Sequence, residues 1–154
     1  MPESFKSRLT KWYFNLYPAY RGTGAWVTYI ASDWREVRIK LPLSWRTYNL
    51  VGVIFGGSIY ASVDPFYMIM LIRNLGPEYE VWDKEAHIRF RRPGRSTLRA
   101  GFKITEADLE EIRTELASKE SMDKEFTIEL MDKSGVVHAI IQKTIFIAHK
   151  ARGE

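Results

Sequence analysis

The sequence contains no cysteine among its 154 residues. This absence excludes a disulfide framework, a cysteine-based metal site and a thiol nucleophile. It is typical of proteins that stay in a reducing cytoplasm, which is the compartment we expect. The first 18 residues carry three basic side chains among the apolar ones, so they do not have the pattern of a signal peptide.

Several motifs of known chemistry are also missing. The three histidines are scattered without metal-ligand spacing, so no metal site is expected. Ser58 follows Gly57 but lacks the second glycine of a nucleophile elbow. There is no Walker loop, and the short Gly22–Gly24 pair does not form a dinucleotide fingerprint. We therefore expect no bound cofactor.

Aromatic and basic residues, in contrast, are plentiful. Five Trp, eight Tyr and eight Phe indicate a substantial buried or interfacial surface. The net charge of +4 favours anionic partners, leaving nucleic acid, a membrane surface and a phosphate-bearing ligand open. We find no repeat or linker, and the length suits one domain over residues 1–154, with residues 1–20 as a helical extension.

The extension is predicted to be an amphipathic helix that Ser4 caps and that stops before Pro18. Its apolar residues fall on one face: Phe5, Leu9, Trp12, Tyr13 and Leu16. Basic side chains lie opposite the aromatic ones, so contact with a membrane surface is one interpretation. The interpretation we favour is that the helix covers an open part of a sheet.

The rest of the chain alternates strands and helices. Apolar residues at every second position predict strands in hairpin-rich order, and therefore a largely antiparallel sheet. Between them, residues 51–72 are apolar enough to test as a membrane span, but Asp64 near the middle and Pro65 argue against one. We expect instead one long helix from Gly56 to about Asn74, with the sheet curled around it.

Two of the predicted strands have a clear alternation of faces. In the strand after the central helix, Trp82 is expected on one face together with Ala86, Ile88 and Phe90. Asp83 is expected on the other face together with Glu85, His87 and Arg89. In the last strand, aliphatic residues are expected to face inward: Val137, Ala139, Ile141, Ile145 and Ile147.

The most informative residues are the pair Gly56–Gly57 at the predicted helix start and Asp64 eight residues further on. Backbone N–H groups at a helix start can hold a developing oxyanion. Gly56 and Asp64 would lie roughly 12 Å apart along one helix, too far to reach the same carbonyl carbon. If they work together, a second copy must supply one of them, which favours a symmetric dimer with two composite sites.

The spacing Asn49-x-x-Gly52-x-x-x-Gly56-Gly57, followed by Asp64, resembles the hotdog-fold thioesterases of the phenylacetate-degradation (PaaI-like) type. The stretch from Ile88 to Ala100, with its Arg-Pro-turn, resembles the strand–turn–strand of that family. In element order the similarity covers residues 46–147, and it extends to hotdog proteins described only as domains of unknown function.

The resemblance implies an α+β hotdog fold and hydrolysis of an acyl-CoA thioester, with coenzyme A present only as part of the substrate. It implies that the Gly56 N–H polarises the thioester carbonyl, beside Gly57. Asp64 would act as base or nucleophile, and Asn49 would orient water or the thioester. Phe55 stands where the family usually has His, so it is expected to form a wall of the acyl pocket.

Each of these residues has a structural alternative. The glycine pair could reflect close packing, and Asn49 could be a turn residue. Asp64 could hydrogen-bond a neighbouring group or cap a second helix that starts at Pro65.

A cluster of basic residues lies in the stretch from Ile88 to Ala100. It could bind the phosphates of coenzyme A, or it could be a solvated strand face. Its members are Arg89, Arg91, Arg92, Arg95 and Arg99. Of these, Arg91, Arg92 and Arg95 are the candidate coenzyme A contacts. RNA binding is not expected, because paired stacking aromatics are missing.

Two functions of a hotdog protein thus remain from the sequence, with a basic nucleic-acid-binding module as a distant third. The first is an acyl-CoA hydrolase that forms a homodimer or a dimer of dimers. The alternative is a non-catalytic acyl- or lipid-binding hotdog protein whose site is closed by Phe55.

Overall fold

The structure, a computed structural model, describes residues 1–150. The helices are α1 (Phe5–Leu16), α2 (Pro18–Gly22), α3 (Gly56–Val63), α4 (Phe66–Leu75) and α5 (Glu106–Leu116). The strands are β1 (Trp26–Ile30), β2 (Glu36–Leu41), β3 (Tyr79–Phe90), β4 (Leu98–Lys103), β5 (Ser121–Met131) and β6 (Val137–His149). None of the helices in the described residues is long and apolar enough to cross a membrane.

The six strands form one sheet in the order β1-β2-β4-β5-β6-β3, and every neighbouring pair is antiparallel. The predicted curled antiparallel sheet is therefore present. Buried side chains from the sheet, α3, α4 and α5 form one hydrophobic cluster. The apolar surface that α3 and α4 contribute includes Ile59, Val63, Phe66, Met70 and Leu71.

The sequence predicts one continuous central helix, but the structure shows two shorter helices, α3 and α4. The helix breaks at Asp64–Pro65, because proline has no N–H to donate and its ring crowds the preceding turn. The ladder resumes where the Ile69 N–H donates to the Pro65 carbonyl (3.1 Å). The Asp64 side chain does not cap α4. The capping alternative is therefore not what the structure shows.

The faces predicted for Trp82 and Asp83, at the start of β3, are wrong. The β3–β6 register shifts between Asp83 and Glu85, so Lys84 is an extra residue that reverses the alternation. Before this bulge, Asp83 points inward and Trp82 points outward, where it stacks on Phe146 with ring centroids 4.3 Å apart.

Helix α1 lies along the outer edge of β1, but it does so with its polar face. The buried Asn15 side chain accepts a hydrogen bond from the Val27 N–H (2.7 Å) and donates one to the Val27 carbonyl (3.0 Å). Glu3 accepts one from the Ile30 N–H (3.1 Å). The first residues of the chain thus satisfy backbone groups that an edge strand would otherwise leave unpaired.

We predict that Asn15→Ala lowers the free energy of unfolding by about 1–3 kcal/mol, because two buried backbone groups of Val27 lose their partner. Urea unfolding followed by circular dichroism measures this. The matched control is Thr10→Ala on the same helix, where only an exposed bond to the Lys6 carbonyl is lost. Equal losses from both variants would contradict a role for Asn15 at the edge.

Candidate active site

The glycine pair lies at the start of α3, as predicted. Phe55 before it has extended backbone angles, and the first N–H groups of the helix have no partner within the helix. Aromatic rings pack directly on both glycines. A Cβ on Gly56 would lie 3.1 Å from Phe90 Cζ, and one on Gly57 would lie 2.4 Å from Phe55 Cε1. Close packing alone therefore accounts for the two glycines.

A cavity of about 350 Å³ opens beside Gly56. Arg91 and Arg92 line it together with the Pro93–Gly94 turn. The turn is held in place because the N–H groups of Arg91 and Arg92 both donate to the His138 carbonyl (2.8 and 3.1 Å). The fold thus brings two of the predicted arginines next to the proposed oxyanion donor.

Arg95 and Arg99 are exposed and lie outside that lining. Arg99 lines a different cavity with Thr28 and Arg38. The sequence cluster is therefore split between two places in the fold.

Asn49 builds the loop that precedes α3. Its Oδ1 accepts hydrogen bonds from the N–H groups of Val51 (3.1 Å) and Val53 (3.2 Å). Gly52, with φ of +77°, completes this turn by donating its N–H to the Asn49 carbonyl (3.0 Å). These bonds are the turn role that the sequence left open as an alternative.

Asp64 makes a contact that the sequence analysis missed. Its Oδ1 lies 3.0 Å from Nζ of Lys143, whose side chain has no exposed surface. The same ammonium group donates to the Asp64 carbonyl (2.5 Å) and lies 2.8 Å from Asp83 Oδ1. One buried cation therefore serves two carboxylates.

A signal for Lys143 was present in the sequence. The inward alternation of the last strand runs through position 143, between Ile141 and Ile145, so a lysine there must be buried. A buried ammonium group requires acidic partners, and its presence would have directed attention to Asp64.

The surroundings of this cluster shift two other groups. Burial raises the pKa of Asp83, although Lys143 opposes this effect. Burial, together with the neighbouring Asp64 carboxylate, raises the pKa of the Tyr60 phenol well above its usual range. Tyr60 is one helical turn before Asp64, and its ring centroid lies 5.7 Å from the Lys143 ammonium group.

Asp64 keeps 44% of its side chain exposed and lines a cavity of about 420 Å³ between the N-terminal helices and α3–α4. The other lining side chains are mostly aromatic or aliphatic. Gly56 lines the separate cavity described above. Phe55 is exposed and lines neither of these two cavities.

Several solved structures share this architecture at low sequence identity. PA5026 of Pseudomonas aeruginosa, a protein of unknown function named a probable thioesterase, is 18% identical with a TM-score of 0.80, covering 97% of this chain and 99% of its own. The thioesterase HI1161 of Haemophilus influenzae is 13% identical with a TM-score of 0.69, and the match covers 99% of this chain and 97% of HI1161. A protein of unknown function from Chlorobaculum tepidum is 16% identical with a TM-score of 0.73, covering 94% and 95%.

No curated protein matches the sequence. The structural likeness shows the fold, which is the hotdog fold of these thioesterase-like proteins. Residues 6–147 match the DUF4442 family, a domain of unknown function, and the chain belongs to that family.

Proposed function

We propose that this protein hydrolyses acyl-CoA thioesters at two sites shared across a homodimer. The observation that carries the proposal is Asp64, a partly exposed carboxylate that a buried lysine fixes at the wall of an apolar cavity. The names of the structural neighbours support a thioesterase more than another activity of this fold.

In the proposed reaction Asp64 accepts a proton from water as the water oxygen attacks the thioester carbonyl carbon. The carbonyl oxygen takes the negative charge and accepts a hydrogen bond from the Gly56 N–H at the start of α3. The carbon–sulfur bond then breaks, and coenzyme A leaves as the thiol after taking up the proton. Direct attack by Asp64 is the variant of this step in which an anhydride precedes hydrolysis.

The placement of these groups supports the proposed dimer. Within one chain Gly56 and Asp64 line different cavities, and a second copy of the chain could bring them to one carbonyl. β3 is the last strand of the sheet, and an exposed Phe90 lies at its end beside Gly56. This edge is where we place the partner chain.

The second candidate is an acyl- or lipid-binding protein without turnover. The observation that favours it is that the Phe55 ring packs on Gly57 at the start of α3. Phe55 occupies the position at which the PaaI-like thioesterases usually have His.

A complementation experiment tests the shared site. We predict that Asp64→Asn and Gly56→Pro each reduce thioesterase activity by about 10²-fold or more, since one removes the base and the other the donor N–H. Proline fits the first position of α3, and extended Phe55 suits a residue before proline. Mixed dimers carry one intact composite site, so random exchange should restore about a quarter of wild-type activity.

The control for Gly56→Pro is Gly56→Ala, which adds the same Cβ 3.1 Å from Phe90 Cζ but keeps the N–H. Any effect of displacing the exposed Phe90 ring should therefore appear in both variants, and the loss of the donor N–H only in Gly56→Pro. Light scattering and circular dichroism establish that all variants fold and assemble alike. If the mixture stays as inactive as its parents while dimers exchange, Gly56 and Asp64 do not share a site between chains.

The arginines provide a second prediction. We expect Arg91→Ala and Arg92→Ala to raise KM for acyl-CoA by about tenfold while hardly changing KM for an acyl-pantetheine substrate, which lacks the nucleotide phosphates. Arg99→Ala is the control, because Arg99 is exposed but lines another cavity. Arg95→Ala tests the remaining predicted contact. An equal rise for both substrates would mean that these arginines do not bind phosphate.

Substitution of Phe55 distinguishes a hydrolase from a non-catalytic binding protein. We predict that the wild type hydrolyses at least one substrate of an acyl-CoA panel and that Phe55→His keeps its best rate within about tenfold, because Phe55 contributes surface rather than chemistry. If the wild type hydrolyses no acyl-CoA and the Phe55→His variant does, the native protein is instead a non-catalytic acyl- or lipid-binding protein. Isothermal titration with acyl-CoA provides the binding measurement for silent variants.

A further inference from the structure

Helix α1 differs from an ordinary surface helix because polar residues are buried on its inner face and most of its large apolar side chains are exposed. Ser7 and Asn15 on its inner face are buried. Of its six large apolar side chains, Phe14 packs inward against the core. The other five are between 54% and 78% exposed and form what we call the aromatic stripe: Phe5, Leu9, Trp12, Tyr13 and Leu16. Exposed contiguous apolar patches of this kind mark sites that another surface covers.

The orientation of the helix is fixed by the sheet edge beneath it. Asn15 and Glu3 bond backbone groups of β1, and Lys11 is paired with Glu3 at 2.9 Å. If α1 rotated to bury the stripe, the polar groups of that edge would lose their partners. The stripe therefore stays outside.

The charges around the stripe indicate what covers it. Residues 4–32 contain four basic residues and no acidic one. At 100° per residue, Lys6 and Arg8 lie on opposite flanks of the stripe, each about 80° from its centre. Both are exposed. An aromatic and aliphatic face bracketed by cations matches helices that lie in the interface of an anionic membrane.

A second copy of the chain would fit less well. In a two-fold contact with parallel helices, Lys6 and Arg8 of one copy would lie near the same cations of the other. With antiparallel helices they would meet the last turn of the partner helix, which has no acidic residue to pair with them. No acidic side chain of α1 or α2 is available to offset them.

We propose that α1 docks on the surface of an anionic membrane through the aromatic stripe. Tyr13 belongs to the stripe and also lines the cavity that contains Asp64, as does the half-exposed Tyr17. Docking therefore places the mouth of that cavity at the boundary between headgroups and acyl chains. The docking itself does not depend on the proposed hydrolysis; only the delivery of a membrane-partitioned acyl thioester to Asp64 does.

Vesicle pelleting tests the docking. We expect the full chain to sediment with vesicles of phosphatidylglycerol and phosphatidylcholine, much less with pure phosphatidylcholine, and less at high salt. Leu9→Ser with Leu16→Ser should weaken binding by about tenfold or more through lost apolar contact. Lys6→Glu with Arg8→Glu should remove the preference for the anionic lipid.

The controls are Leu50→Ser, at a fully exposed leucine of the loop before α3, and Lys133→Glu, in the β5–β6 turn; both should bind as the wild type does. Acyl-CoA hydrolysis in vesicle-free buffer, measured separately, shows whether the proposed function fails on its own. Absence of vesicle binding, or equal losses in stripe and control variants, would overturn the proposal. A change of assembly size with the stripe variants and no vesicle binding would identify an interface between copies instead, and would overturn it too.

Discussion

The buried ammonium group of Lys143 is the constraint on which the centre of this molecule depends. A charge without solvent must be matched by groups inside the protein, and removing one partner of such a pair typically costs about 3–5 kcal/mol. Here the matching groups come from two irregular points of the chain. The helix break presents the carboxylate and carbonyl of Asp64, and the β3 bulge turns Asp83 inward. The break and the bulge are thus two halves of one arrangement around β6.

The same requirement, that buried polar groups have partners, explains the N-terminal helix. The outer edge of β1 carries backbone groups that no strand pairs in the described chain, and the polar face of α1 satisfies them. Amphipathicity alone would have turned the helix the other way. The hydrogen bonds of the edge decide its orientation, and the exposed apolar face is the consequence.

The features that the sequence predicted well are local ones. Alternating apolar residues predicted the strands, and Ser4 caps α1 as predicted. The start of α3 at Gly56 was predicted from the glycine pair. The features it missed depend on distant partners. The Lys143–Asp64 contact joins residues 79 positions apart. A single extra residue, Lys84, reversed the phase of β3, and a period-two pattern has no means of showing such an insertion.

The candidate site residues do not carry equal weight once their surroundings are known. Aromatic packing explains the glycine pair, and the turn before α3 explains Asn49. Asp64 also has a structural role, because its carboxylate and its carbonyl are partners of the buried Lys143. Unlike Asp83, whose side chain is 21% exposed, Asp64 keeps 44% of its side chain exposed and faces a largely apolar cavity. A carboxylate that a buried cation holds in place, and that a ligand in an apolar cavity can still reach, is the feature that best distinguishes a working site from a packing solution.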